Sequence, residues 1–157
     1  MILAREVAMP SDDSVRSILD KKGGRLWSVA PETSVYHALE LMSEHDVGAL
    51  MVISDGKLQG VFSERDYARK VILLGKSSRD TPVREIMTSP AISVRPEQTV
   101  DECMQMMTGM RIRHLPVVEA GDVLGVVSIG DVVNWTIQRQ QEHIRHLNHY
   151  IAGVYPA

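Results

Sequence analysis

Two short stretches close an apolar run with the same polar signature. Ser63-Glu64-Arg65-Asp66 follows Gly60-Val61-Phe62, and Ser128-Ile129-Gly130-Asp131 follows Gly125-Val126-Val127. A serine with an acid three residues later suits the first turn of a helix. The hydroxyl accepts from one free N–H, and the carboxylate reaches back to another. The same geometry can serve a ligand. A helix mouth offers an anion free N–H groups and the positive end of a dipole. A carboxylate there can accept hydrogen bonds from both vicinal hydroxyls of a ribose, and the serine can donate to a phosphate. For one stretch alone, capping is the simpler reading. Recurrence at equivalent points adds weight to the ligand and leaves both readings open.

The two stretches belong to a duplication. Residues 28–72 align without a gap on residues 93–137, each position 65 residues from its counterpart. Identical pairs include Val29/Val94, Pro31/Pro96, Glu32/Glu97, Val52/Val117, Gly60/Gly125, Ser63/Ser128 and Asp66/Asp131. A shorter echo precedes each copy. Residues 15–19 resemble residues 83–87 at an offset of 68, so the stretch 21–24 holds three extra residues.

Each copy reads as β-α-β-β-α. In the first, 26–29 is a short strand and 31–34 a turn into a helix cap. Val35, Ala38, Leu39 and Met42 then recur at helical spacing. Residues 49–54 and 58–62 flank Asp55-Gly56 as a hairpin. Ser63 opens a helix reaching about Leu74. The second copy predicts strands over 92–94, 114–119 and 123–127, and helices over 99–110 and from Ser128. The fold class expected is α+β: two pseudo-symmetric repeats packed sheet to sheet, with a long C-terminal helix. The organisation reads as a stub over 1–14, repeat one over 15–75, a linker with a short helix over 76–90, repeat two over 91–138 and a helical extension over 139–157. Two such copies would leave two related clefts between them.

The rest of the composition narrows the function. Net charge is −3, with no basic block of the kind that nucleic acid demands. No apolar run approaches the length of a membrane span, and the N-terminus lacks a signal-peptide core. The single cysteine, Cys103, rules out an internal disulfide and fits a reducing compartment; the protein is expected in the cytoplasm. Neither a nucleophile with its base, nor a glycine-rich phosphate loop, nor a metal cluster is readable, so no catalysis and no metal are expected.

With its duplication, its SVxPExxV segments, the strand 113–118 (Arg-His-Leu-Pro-Val-Val) and the two Gly-x-x-Ser-x-x-Asp endings, the chain resembles the tandem CBS (cystathionine-β-synthase) domain pair, or Bateman module. It looks most like the bacterial stand-alone CBS-pair proteins. The likeness covers about residues 15–140. It implies a regulatory module that binds an adenosine nucleotide between the repeats: AMP first, with ADP, ATP, NAD(H) or S-adenosylmethionine as alternatives. By that likeness Asp66 and Asp131 hold ribose hydroxyls in two sites, and Ser63 and Ser128 meet phosphate. Val29 and Val94 face the adenine, with Met51, Val52 and Val117 flanking the ring.

The copies differ where anions would sit. Copy two has Arg113-His114 where copy one has Gly48-Ala49, and Arg65 faces Gly130 across the alignment. Phosphate contacts are therefore expected at Arg65, Arg113 and His114, in unequal sites; a solvated strand edge is the plainer account of Arg113 and His114. Arg69 and Lys70 read as a solvated helix face. His143, His146 and His149, three apart, rotate off any one face and make a poor metal site. Cys103 reads as core.

The C-terminal helix repeats Ile137, Ile144 and Ile151 every seven residues, with Gln140, Leu147 and Val154 between. This is a short heptad seam, fit for a second subunit or for the chain's own body; the resemblance favours a homodimer. The expected partners are a small nucleotide, a second copy and an unidentified effector protein, with no nucleic acid and no membrane. The competing account is a structural dimerisation module whose clefts are vestigial.

Overall fold

The computed structural model describes residues 13–154, so the expected stub and the last three residues fall outside it, apart from Asp13 and Ser14. Helix α1 (Val15–Lys22) leads into strand β1 (Ser28–Val29), helix α2 (Val35–His45) and the hairpin β2 (Ala49–Ser54) and β3 (Lys57–Ser63). Helix α3 (Glu64–Tyr67) continues as a wider π turn over Ala68–Ile72. After a 3-10 turn at Val83–Glu85 the course repeats: α4 (Val100–Met110), β4 (His114–Glu119), β5 (Asp122–Ser128) and α5 (Ile129–Val154). The fold is the α+β duplication that the pattern predicts.

The offset of 65 holds in the backbone. Ser34 and Thr99 cap α2 and α4 through their side chains. Both helices end on a left-handed residue, Asp46 at φ 51° and Arg111 at φ 54°. Both hairpins shift register at the same place, Val52/Ile53 and Val117/Val118. The third strand is unequal. In repeat one the Met51 N–H donates to the Trp27 carbonyl at 3.1 Å, lengthening the parallel pairing of β1 with β2. Its counterpart in repeat two is Pro116, which has no N–H to give. The strand expected over 92–94 shrinks accordingly to a single bridge, Val94 to Val117.

The leader of each repeat packs on the other repeat. Val15, Ile18 and Leu19 of α1 are buried in the core of repeat two, with Val94, Leu115, Val117 and Val127. Val83 and Ile86 are buried in the core of repeat one, with Val29, Leu50, Val52 and Phe62. Backbone bonds fix the exchange: Val15 N donates to Gln98 O at 2.9 Å, and Val83 N donates to Thr33 O at 2.8 Å. Glycine makes room for it. A Cβ at Gly60 would meet Thr88 O at 2.7 Å and Met87 Sδ at 2.8 Å, and one at Gly125 would meet Leu19 Cδ2 at 2.9 Å. β3 and β5 touch where the repeats meet.

α5 runs for 26 residues, roughly 39 Å at the usual rise. Its first turns are held by Asp13, whose Oδ1 accepts from Trp135 Nε1 at 3.0 Å and Arg139 Nε at 2.9 Å. From Gln140 to Gly153 every side chain is exposed. The heptad seam therefore does not dock on the chain's own body. Among the described residues, no helix is long and apolar enough to cross a membrane.

Candidate functional site

One strand end and one helix start build the site in each repeat. In repeat one, Ser63 leaves β3 and caps α3 as half of a capping box with Asp66. Asp66 Oδ2 accepts from Ser63 N and Ser63 Oγ, both at 3.0 Å. Its Oδ1 accepts from Thr88 Oγ1 at 3.2 Å and Lys70 Nζ at 3.0 Å. Asp66 is only 7% exposed, and four donors hold its charge in place. The capping box is thus present, and both carboxylate oxygens of Asp66 are engaged.

Asp66 forms part of a cleft of about 1150 Å³ between the repeats. Ser63, Arg65, Arg113 and His114, all expected at phosphate, line the same cleft. So do Arg69, Lys70 and Arg111, giving five permanent cations against the carboxylates of Glu64 and Asp66. Lys70 corrects the solvated-face reading: its ammonium bridges Asp66 and the Ile86 carbonyl, 3.1 Å away. Arg65 Nη1 crosses to the Arg111 carbonyl at 2.8 Å, tying a helix of repeat one to the end of α4. His114 is largely desolvated. Burial lowers its pKa, Lys22 and Arg113 lower it further, and Asp131 opposes them. It is therefore a neutral ring at pH 7, able to give or take one hydrogen bond.

Ser128 and Asp131 repeat the local geometry and do not line this cleft, although their neighbours Ile129 and His114 do. Ser128 N donates to Asp131 Oδ2 at 2.8 Å, and Asp131 N donates to Ser128 Oγ at 3.2 Å. The third partner is Lys22 of α1, whose ammonium lies 2.6 Å from Asp131 Oδ2 and donates to Val126 O at 3.0 Å. Burial would raise the Asp131 pKa, but the hydrogen bonds from Lys22 and Ser128 outweigh it and hold the carboxyl below its ordinary value.

Val29, Val94, Met51, Val52 and Val117, the residues assigned to an adenine, sit in the two cores and do not line the cleft. Its apolar wall comes instead from Val61, Ala91, Ile92, Met107, Met110 and Ile112. Ala91 and Ile92 follow the linker turn, and Met107 and Met110 lie on the last turns of α4. Nothing in the spacing marked Thr88 or Arg111. A smaller groove of about 460 Å³ between α1 and α5, lined by Lys21, Trp135 and Arg139, contains none of the expected residues.

The family model for the CBS domain matches residues 15–72 and again 83–137. The chain is 45% identical over 138 residues to the CBS domain-containing protein CBSX3, mitochondrial, of Arabidopsis thaliana, a match spanning 85% of this chain and 66% of that protein. Among solved structures it resembles the CBS domain NE2398, with 43% identity and a TM-score of 0.76 over 79% of this chain and 97% of the other. It also resembles CBSX2 in complex with AMP, with 29% identity and a TM-score of 0.68 over 81% of this chain and 98% of the other.

Proposed function

The chain belongs to the CBS-domain family, and we propose that it is a non-catalytic regulatory sensor that binds one adenosine nucleotide in the cleft beside Asp66. The observation that carries this reading is the pairing of a buried diol-type acid with a cation-rich rim on one apolar-walled cavity. Its volume, about 1150 Å³, is ample for a nucleotide. A ribose would exchange donor for donor at Asp66 Oδ1: its hydroxyls replace Thr88 Oγ1 and Lys70 Nζ, and the freed ammonium turns to phosphate. Arg65, Arg113 and His114 complete the anion contacts. The AMP complex of CBSX2 supports AMP as the ligand. The cation excess supports phosphorylated ligands, ADP, ATP and NAD(H) included, over S-adenosylmethionine.

Signalling follows from the Arg65 tie. A phosphate that claims the Arg65 guanidinium competes with the Arg111 carbonyl and resets one repeat against the other. An effector protein, in the cytoplasm, would read that change. Calorimetric titration of the chain with AMP, ADP, ATP, NAD(H) and S-adenosylmethionine tests the reading. Binding by at least one phosphorylated adenosine compound, lost in Asp66→Ala, is expected. No binding by any of them, or unchanged binding in Asp66→Ala, overturns it.

One observation favours a second role, dimerisation. Ile137, Ile144, Leu147 and Ile151 are 46–56% exposed along α5, and a helix of that length without tertiary cover gains by pairing. A homodimer joined through this seam is compatible with the sensor; as the sole function it would leave the cleft idle.

A further inference from the structure

We propose that Met110 is an oxidation site in the wall of the cleft, where conversion of its thioether to the sulfoxide weakens nucleotide binding. The effect on binding rests on reading the cleft beside Asp66 as the nucleotide site; the reactivity of Met110 does not. Three observations carry the inference.

The first is access. Met42, Met51 and Met107 are buried, and Met87, Met104 and Met106 are half-buried. Met110 is 53% exposed, the one exposed methionine among the described residues. It is the last residue of α4, and the chain turns left-handed at Arg111, so the helix does not continue over it. A thioether is oxidised where an oxidant can reach the sulfur, and here it can.

The second is place. Met110 lines the cleft together with Arg65, Arg69, Lys70, Arg111 and Arg113. Its neighbour Arg111 supplies the carbonyl that Arg65 Nη1 reaches at 2.8 Å. A change at Met110 therefore falls beside both the anion contacts and the tie between the repeats.

The third lies in the duplication. The counterpart of Met110 is His45, which stacks on Trp27 with ring centroids 3.4 Å apart. The counterpart of Trp27 is Ile92, which lines the cleft as Met110 does. The repeat fold thus accepts an aromatic pair at these two positions and does not require sulfur.

The oxidant is a peroxide. The sulfur lone pair attacks one peroxide oxygen, and the S–O bond forms as the O–O bond breaks. With hydrogen peroxide, the proton of the attacked oxygen passes to the departing one, which leaves as water. Sulfur gives up two electrons and the peroxide gains them. The product is polar where the thioether was apolar. Its oxygen can accept from the guanidiniums that would otherwise meet phosphate, and it draws water to a wall that packs against the ligand.

Hydrogen peroxide is the probe, applied in limited doses to the full chain with and without saturating AMP. Peptide mass spectrometry maps the sulfoxides, and calorimetry reads AMP affinity before and after. Met110 should oxidise roughly fivefold faster than the buried and half-buried methionines, and bound AMP should slow it about threefold. Oxidised wild type should bind AMP about tenfold more weakly, and a methionine sulfoxide reductase should restore the affinity. Met110→Leu, whatever its own starting affinity, should hold that affinity through the same treatment. Oxidation of Met110 no faster than that of Met107 overturns the proposal. So does an equal loss in treated wild type and treated Met110→Leu, or no loss in a wild type whose Met110 is fully oxidised. An untreated chain that binds none of AMP, ADP, ATP and NAD(H) is a different result. It removes the reading of the cleft and the effect on binding with it, while the sulfoxide map still decides whether Met110 is the reactive site.

Discussion

Two helix mouths sit 65 residues apart in sequence and share a serine, an acid and a hairpin, yet their surroundings differ at every cation. Arg65, Arg69, Lys70, Arg111 and Arg113 line the first; the corresponding residues are Gly130, Asn134, Trp135, Asp46 and Gly48. Duplication kept the helix mouth, which the backbone needs for capping, and let the rim diverge, which the backbone does not need. The first crevice became a basic cavity. The acid of the second pairs with Lys22 of α1, as the acid of the first pairs with Lys70. The general lesson is that a retained Ser-x-x-Asp signals a retained cap, and only the rim tells which cap also serves a ligand.

The largest effect that would break this comparison is loss of the basic rim. Arg113→Glu should weaken AMP binding roughly a hundredfold, equivalent to about 2.8 kcal/mol, as read by calorimetry. The change Asp131→Ala, in the matching helix cap that does not line the cleft, should leave AMP affinity within about threefold. Equal losses in the two variants would erase the distinction.

Next come the glycines that admit the exchanged leaders. Gly60→Ala drives a methyl into the Thr88 carbonyl at 2.7 Å, a backbone atom with nowhere to go. Gly125→Ala meets only the end of Leu19, which can rotate. Denaturant unfolding should show a cost of about 2–3 kcal/mol for the first and about 1 kcal/mol or less for the second.

A smaller effect concerns His114, whose pKa burial holds below the ordinary 6.5. The unfolded chain then takes up a proton before the folded chain does as pH falls. The stability this residue allows is fully present above about pH 6.5 and is lost as the pH falls from there toward the depressed folded value. His114→Gln should flatten that part of the stability profile, measured by denaturation between pH 8 and pH 5 (roughly the span where histidine titrates).

The smallest change exchanges one core for the other. Cys103 is fully buried, its thiol pushed up to about 11 by burial, and its counterpart in repeat one is Ala38. Cys103→Ala should cost about 1 kcal/mol, and the native thiol should stay inert to Ellman's reagent until the chain unfolds.

Much of the fold was legible in the residues. Asp55-Gly56, the turn into a cap over 31–34 and the helical spacing of Val35, Ala38 and Met42 placed the first hairpin and helix within a residue or two of where they lie. Asp66, Ser63, Arg65, Arg113 and His114 were also legible as one group, because their types and their inequality between copies are visible in the alignment. The exchange of leaders was not. Val15, Ile18 and Leu19 show an apolar face but not which repeat it covers, and sequence proximity points to the wrong one. The apolar wall of the cleft was missed for a related reason. Ile92 and Met107 come from segments that share no motif with Asp66 and meet it only through the packing of the repeats. The third strand shortened for a reason that could have been read: Pro116 cannot donate.

Native mass spectrometry of the chain saturated with AMP, for wild type, Asp66→Ala and Asp131→Ala, bears most directly on the claim that the cleft beside Asp66, and not the matching cap at Asp131, is the nucleotide site. The account predicts one AMP per chain in wild type, none in Asp66→Ala and one in Asp131→Ala. Retention of AMP by Asp66→Ala together with its loss from Asp131→Ala would contradict it.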